Sequence, residues 1–195
     1  MAIQERRARQ RAERHRLIVD TAREIAEAEG WDAVTTRRLA ERIEYSQPVL
    51  YSHFSGKDAI VGAVALEGFT ELVDALRAEL AVTPDPAARL AAMARAYLRY
   101  AAAHPAVYAA MFSMDTDLTF ADPASPAPLR AGFGLIRDVL GALTGERDLD
   151  ARTELAWSTL HGLATLTEGK RLRPGQQQHR LDLFVAQLRP TSSAD

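Results

Sequence analysis

Apolar residues recur along this chain at spacings of three and four, and strand-like alternation is almost absent. That periodicity predicts an all-α protein. Leu17, Thr21, Ile25 and Ala28 share one helical face, with Ile18 and Ala22 beside it, and Gly30 offers a left-handed stop. Thr35 or Thr36 can cap a short second helix carrying Leu39 and Ile43. Ser46 can cap a third, with Pro48 tolerated in its first turn. A long fourth helix follows, on which Ile60, Val61, Val64, Phe69, Leu72, Val73, Leu76 and Leu80 keep helical spacing. Asp85-Pro86 opens a fifth, and His104-Pro105 breaks it before a short sixth. Residues 113–128 hold three prolines and three aspartates and read as a loop. Further helices are expected over 128–144, 148–170 and 176–189. Residues 1–57 are expected to form an N-terminal arm and small helical domain. Residues 58–190 form a second domain entered through the fourth helix, and 191–195 a disordered tail.

The second and third helices are too short to be stable alone and must pack on their neighbours. Leu39, Ile43, Leu50 and Phe54 are spaced to bury one face of each, around a tight turn at Glu44-Tyr45-Ser46. The outward face of the third helix then carries Gln47, Val49, Tyr51, Ser52 and His53. A short helix presented in this way fits a DNA major groove about 12 Å wide. The residue types suit the task. A Gln47 amide can pair with adenine N6 and N7, and Pro48 and Val49 can touch a thymine methyl. Tyr51, Ser52, His53, Thr36 and Arg37 can reach phosphate oxygens. Lys57 sits in the first turn of the fourth helix, where free backbone amides also favour an anion. An ordinary helical tripod with a polar surface has the same spacing, so periodicity leaves both readings open.

Composition narrows the classes. The 195 residues are 47% hydrophobic, enough to bury a core. There is no cysteine, so no disulfide and no thiolate metal site. No apolar run approaches the roughly 20 residues that span a bilayer, and the charged N-terminus lacks a leader pattern. A cytoplasmic protein without membrane contact is expected. The formal charge of -2 is uneven: residues 1–57 carry 11 basic and nine acidic groups, and residues 1–16 alone hold six arginines and two glutamates. A basic arm of this kind suits a polyanion, or simply a solvated tail. None of the five histidines has metal-ligand spacing, and no glycine-rich phosphate loop or nucleophile elbow is present. Asp115 and Asp117 lie in the Pro-rich loop and read as solvated. No catalytic residue, metal or cofactor is expected, and the chain is not read as an enzyme.

The stretch from Thr35 to Lys57 resembles the DNA-binding domain of the tetracycline-repressor (TetR) family. Leu50, Tyr51, His53, Phe54 and Lys57 match that family's Leu-Tyr-x-His-aromatic run with a lysine three residues on. Gln47-Pro48 and Thr35-Thr36-Arg37 resemble the family's founding member. The resemblance runs from about Arg16 to Val64. One position departs: the family usually has a small residue in the turn, where this chain has Glu44, which adopts a positive φ only with strain.

The resemblance implies a three-helix helix-turn-helix domain joined through the fourth helix to a C-terminal ligand-binding and dimerisation domain. It implies a transcriptional repressor, acting as a homodimer on double-stranded DNA with a palindromic operator and released by a small-molecule effector. The DNA-contacting set is then Thr36, Arg37, Gln47, Pro48, Val49, Tyr51, Ser52, His53 and Lys57. The dimer is expected to form a four-helix bundle of residues 128–144 and 148–170. Trp157, His161 and Gly162 resemble the Trp-x-x-x-His-Gly signature of one branch of C-terminal domains, with Gly162 expected to permit close helix approach. Trp157 and His161 fit core or interface positions equally well. Phe69, Tyr97, Tyr100, Tyr108, Phe112, Phe133, Trp157 and His161 are the candidate effector-lining residues, and with few charges available the effector is expected to be hydrophobic. The alternatives are an effector-independent regulator or activator and, from another class, an all-helical enzyme or ligand carrier.

Overall fold

A computed structural model describes residues 2–116, 118–120 and 122–188. The expected disordered tail and Asp117 lie outside the described residues. Among the described residues there are nine α-helices and no strand. They are α1 (Ala2–Glu29), α2 (Thr36–Arg42), α3 (Gln47–Tyr51), α4 (Lys57–Ala81) and α5 (Pro86–Ala103), then α6 (Pro105–Phe112), α7 (Ala127–Thr144), α8 (Leu149–Glu168) and α9 (Gln177–Leu188). The helix starts follow the prolines: α5, α6 and α7 each carry one at the first or second position, where a missing N–H costs nothing.

Two differences from the sequence reading concern α1. The basic arm is not a separate tail. Residues 2–16 continue α1 to a length of 28 residues. No apolar periodicity announces this half, because its helix rests on Ala, Arg, Gln and Glu, all good helix formers. The buried face also differs in part from the one expected. Ile18, Thr21, Ala22 and Ile25 are buried as expected, together with Val19 and Ala26, while Leu17 is 41% exposed and Ala28 is exposed. Gly30 does end the helix, with φ 85° and ψ 164°, an extended positive-φ conformation rather than a left-handed helical one. A single 3-10 turn at Trp31–Ala33 follows.

The chain divides into two compact units. The first comprises Met1–Gly68 and His104–Ser125, the second Phe69–Ala103 and Pro126–Asp195. This differs from a cut after residue 57: the start of α4 and all of α6 group with the first three helices. Side chains on α1 explain why. Glu27 accepts hydrogen bonds from the backbone N–H groups of Ala106 and Val107, both at 3.1 Å. It thereby satisfies two of the orphan donors at the start of α6. The Trp31 indole N–H donates to the Ala106 carbonyl at 2.8 Å. Gly68 on α4 admits α6 closely: a Cβ there would lie 2.4 Å from Val107 Cγ1 and 2.9 Å from Met111 Sδ.

In the second unit α5 packs against α7, α8 and α9, and α7 packs against α8. Leu90, Met93, Tyr97, Leu140 and Leu160 are almost wholly buried. Thr153 is fully buried too, its hydroxyl donating to the Leu149 carbonyl at 2.8 Å. Gly162 was expected to permit close helix approach. A Cβ built there meets nothing within 4 Å, so no such approach occurs within the chain.

Candidate nucleic-acid interface

The helix-turn-helix is assembled from local devices. Thr35 is the cap of α2, its hydroxyl oxygen accepting from the Arg38 N–H at 3.1 Å. A cap of this type stabilises a helix by about 1 kcal/mol. Arg38 also pairs with Glu29 at the end of α1, and the carboxyl of Glu29 is held below its ordinary range by that hydrogen bond. At the other end of α2 the Tyr45 N–H donates to the Ala40 carbonyl at 3.0 Å and the Glu44 N–H to the Glu41 carbonyl at 3.4 Å. This is a Schellman closure, which places its C′ residue in the left-handed region. That residue is Glu44, with φ 58°. The turn therefore keeps the usual geometry and carries a strained residue within it.

Leu39, Ile43, Leu50 and Phe54 are all buried, as their spacing predicts. They hold α3 from the inside and turn its other face outward. Gln47 and Pro48 are exposed, Tyr51 is 54% exposed and Val49 is partly exposed. Ser46 occupies the cap position of α3 without making a side-chain cap bond.

The remaining members of the expected set have partners of their own. Arg37 is highly exposed and paired with Glu41 one turn on, at 2.9 Å. The Ser52 hydroxyl donates to the Val49 carbonyl at 2.7 Å, so a phosphate contact requires that hydroxyl to rotate. Lys57 Nζ donates to the Trp31 carbonyl at 2.5 Å. This commits one of its three donors to anchoring the start of α4. Thr36 begins α2 and is partly exposed. His53 is half-buried, and its imidazole is pushed toward the neutral form by burial first, then by the nearby charges of Arg11, His15 and Arg14.

Those last three residues were not in the expected set. Arg11 donates to the carbonyl of Ser52 at 3.2 Å, Arg14 lies 5.9 Å from the centre of the Tyr45 ring, and His15 stacks on Phe54 at 4.5 Å. Together they run along the turn and the C-terminal end of α3. Their signal in the sequence is that they continue the Ile18–Ala22 face at helical spacing, with two arginines and a histidine in place of aliphatics.

The candidate effector residues fall in both units. Tyr108 and Phe112 belong to the first unit, with rings 4.8 Å apart. Phe69, Tyr97, Tyr100, Phe133, Trp157 and His161 belong to the second. Tyr97 and Tyr100 are buried, and the Tyr100 hydroxyl donates to Glu71 Oε2 at 3.1 Å. The Trp157 and His161 rings lie 6.5 Å apart on α8, and burial favours the neutral form of His161. A groove of about 350 Å³ in the second unit is lined by Arg77, Leu80, Ala81, Thr83, Pro84, Arg89 and Leu135 and shares no residue with this set. Among the described residues no cluster of three His, Cys, Asp or Glu is arranged to hold a metal ion. None of their helices is long and apolar enough to cross a membrane.

A short helix held by its inner face, with amide and phenol groups outward and arginines alongside, defines a helix-turn-helix DNA-binding regulator. Comparison with known proteins makes the class specific. Residues 18–64 match the family described as bacterial regulatory proteins, tetR family, and residues 90–189 match the tetracyclin repressor-like C-terminal domain. The chain is 32% identical over 152 residues to an uncharacterized HTH-type transcriptional regulator of Mycobacterium tuberculosis, Rv0681, covering 76% of this chain and 67% of the other. It is 46% identical over 48 residues to the class C tetracycline repressor protein of Escherichia coli, covering 25% of this chain and 22% of that one. Another curated relative is spanned to about half its length. A structure of a protein of unknown function from Rhodococcus sp. RHA1 superposes with a TM-score of 0.72 at 26% identity, covering 90% of this chain and 95% of that one. The protein belongs to the TetR family of transcriptional regulators. The family and these regulator relatives are not enzymes.

Proposed function

We propose that this regulator is a repressor that binds a near-palindromic operator as a homodimer and is released by a hydrophobic small molecule bound in its second unit. The observation that carries the reading is the outward face of α3, where Gln47 and Tyr51 are exposed while Leu50 and Phe54 anchor the helix from within. Gln47 reads a base edge, Pro48 and Val49 touch apolar groups in the groove, and Tyr51 with Thr36, Arg37, His53 and Lys57 fixes the backbone. Two copies of α3 then enter successive major grooves about 34–36 Å apart. A regulator acting on operator DNA is proposed to reside in the cytoplasm.

The surface of the second unit supports the dimer and changes its expected composition. Leu155 and Leu166 are exposed on α8, with Thr159 and Gly162 between them on the same face, and Leu183 is exposed on α9. No large apolar residue of α7 is exposed, and that helix is occupied by α5 and α8. The four-helix bundle is therefore proposed from α8 and α9 of each copy, rather than from residues 128–144 and 148–170. The open Cα of Gly162 lets the partner helix approach. The effector is proposed to contact Phe133, Trp157 and His161, the partly exposed members of the aromatic set in the second unit, backed by Phe69, Tyr97 and Tyr100. It releases DNA only to the extent that it binds the released state more tightly.

Operator selection with the purified protein tests the reading. The expected result is an inverted repeat whose base preference relaxes at one position per half-site in Gln47→Ala. Selection of no preferred sequence would refute it. Sedimentation should give a dimer for the native chain and a monomer for Leu155→Arg with Leu166→Arg; a native monomer at micromolar concentration would overturn the dimer.

A further inference from the structure

The N-terminal half of α1 has no counterpart in the DNA-contacting set, yet it is the most strongly basic exposed element of the first unit. On a helix of 3.6 residues per turn, Ile3, Arg7, Arg11 and Arg14 fall on one face. That face is continuous with the one that buries Ile18, Ala22 and Ile25. Past residue 16 the same stripe changes from aliphatic to cationic. Arg14 and Arg11 on it already touch the DNA-reading apparatus, at the Tyr45 ring and the Ser52 carbonyl. Arg7 lies one turn further out and is exposed.

We propose that this stripe is a second DNA-contacting element, in which Arg7, Arg11 and Arg14 bind the phosphate backbone beside the groove that α3 reads. Two features argue for a polyanionic duplex as its occupant. The stripe is cationic where DNA is anionic, and it meets the helix-turn-helix at the Tyr45 ring and at the carbonyl of Ser52, the residue after α3. At 1.5 Å per residue the rise from Arg14 to Arg7 is about 10 Å, the axial length of about three base pairs. A recognition helix of five residues rises about 7.5 Å. The arm therefore supplies sequence-independent grip, and α3 supplies selection. The inference rests on the DNA-binding reading above.

The test compares charge reversals on two faces of the same helix, Arg7→Glu on the stripe and Arg9→Glu opposite it. Binding of the full-length protein to its selected operator is followed against salt. Arg7→Glu should weaken binding on the order of tenfold at low salt and lower the log–log salt slope by about 2, one phosphate from each copy. Arg9→Glu should change the slope little. Base preference should stay native in both, since the arm reads no bases. Equal effects from the two reversals would show a diffuse charge effect and overturn the proposal, and so would a native slope in Arg7→Glu. If Gln47→Ala alters base preference while Arg7→Glu leaves the slope unchanged, the arm fails and the reading of α3 stands. If the native protein selects no DNA, both fall.

Discussion

The two units differ in what they leave uncovered. In the helix-turn-helix, the large hydrophobic residues left open are Tyr45 and Tyr51, each an apolar ring with a polar tip, while elsewhere the first unit exposes Ile3, Leu17 and Phe120. The second unit leaves open Val82, Leu155, Leu166 and Leu183, which are wholly aliphatic. A phenol can bind phosphate and lie against sugar or base, whereas leucine gains only by meeting another apolar surface. The helix-turn-helix surface therefore suits the wet, charged partner proposed for it, and the open leucines of the second unit suit the proposed contact with protein. They also differ in how position is enforced. Around α3 almost every element is held by a named polar device: the Thr35 cap, the Glu44 closure, the Arg11 bond to Ser52 and the Lys57 bond to Trp31. In the second unit the aliphatic core is joined by polar links between helices, Arg137 on α7 to Asp150 on α8 and Tyr100 on α5 to Glu71 on α4.

The largest effects should come from deleting matched core side chains in the two units. Leu50→Ala and Leu160→Ala each remove a leucine about 1% exposed or less and should each cost about 3 kcal/mol. Their functional readouts should be opposite. Leu50→Ala abolishes operator binding in gel shift while the dimer persists in sedimentation; Leu160→Ala weakens the dimer first. Loss of both properties together in both variants would break the comparison.

A smaller effect is expected at the turn. Glu44→Gly relieves a left-handed conformation that costs roughly 1–2 kcal/mol, offset in part by the freer unfolded chain. The net gain should be on the order of 1 kcal/mol, or about 2–4 °C in Tm. Loss of the carboxylate beside the DNA face should also tighten operator binding at low salt. A lower melting temperature would mean that Glu44 makes a favourable contact outweighing its backbone strain.

The smallest effect distinguishes two histidines. Both His53 and His161 titrate below the ordinary histidine value of about 6.5, so the folded state disfavours their charged forms. The stability each contributes is present above about pH 6.5 and is lost as the pH falls through the depressed folded value. Their causes differ: for His53 burial is joined by Arg11, His15 and Arg14, while for His161 burial stands alone. Salt should therefore move the NMR titration midpoint of His53 upward and leave that of His161 in place. Equal salt responses would remove the cationic contribution at His53.

The same contrast governs what was legible in the sequence. Prolines and caps set the helix boundaries, so α5 at Pro86 and α6 at Pro105 could be read directly. The inner face of the helix-turn-helix was legible because four apolar side chains had a single way to be buried. The arm was not, because its stripe has no apolar periodicity and its helix depends on propensity and on contacts with α3. The face of α1 was read too wide at Leu17, since Leu17 and Ile18 are equally apolar and only the packing of the unit chooses between them. Composition carries no information on which unit a residue joins, and Tyr108 and Phe112 follow α6 into the first. Within the chain, close approach is required at Gly68, where Val107 and Met111 leave no room for a Cβ.

Trp31, described above as a strut between α1 and α6, has an optical consequence. The chain has two tryptophans, one in each unit, and Trp31 is buried with its indole N–H bonded to the Ala106 carbonyl. In a Trp157→Phe background all indole fluorescence comes from that one joint. Its emission is blue while α6 is seated on α1 and moves to the red once the indole meets water. The protein thus carries an intrinsic gauge of the α1–α6 joint, readable in a cuvette during titration with operator or with a small molecule, and no label has to be attached.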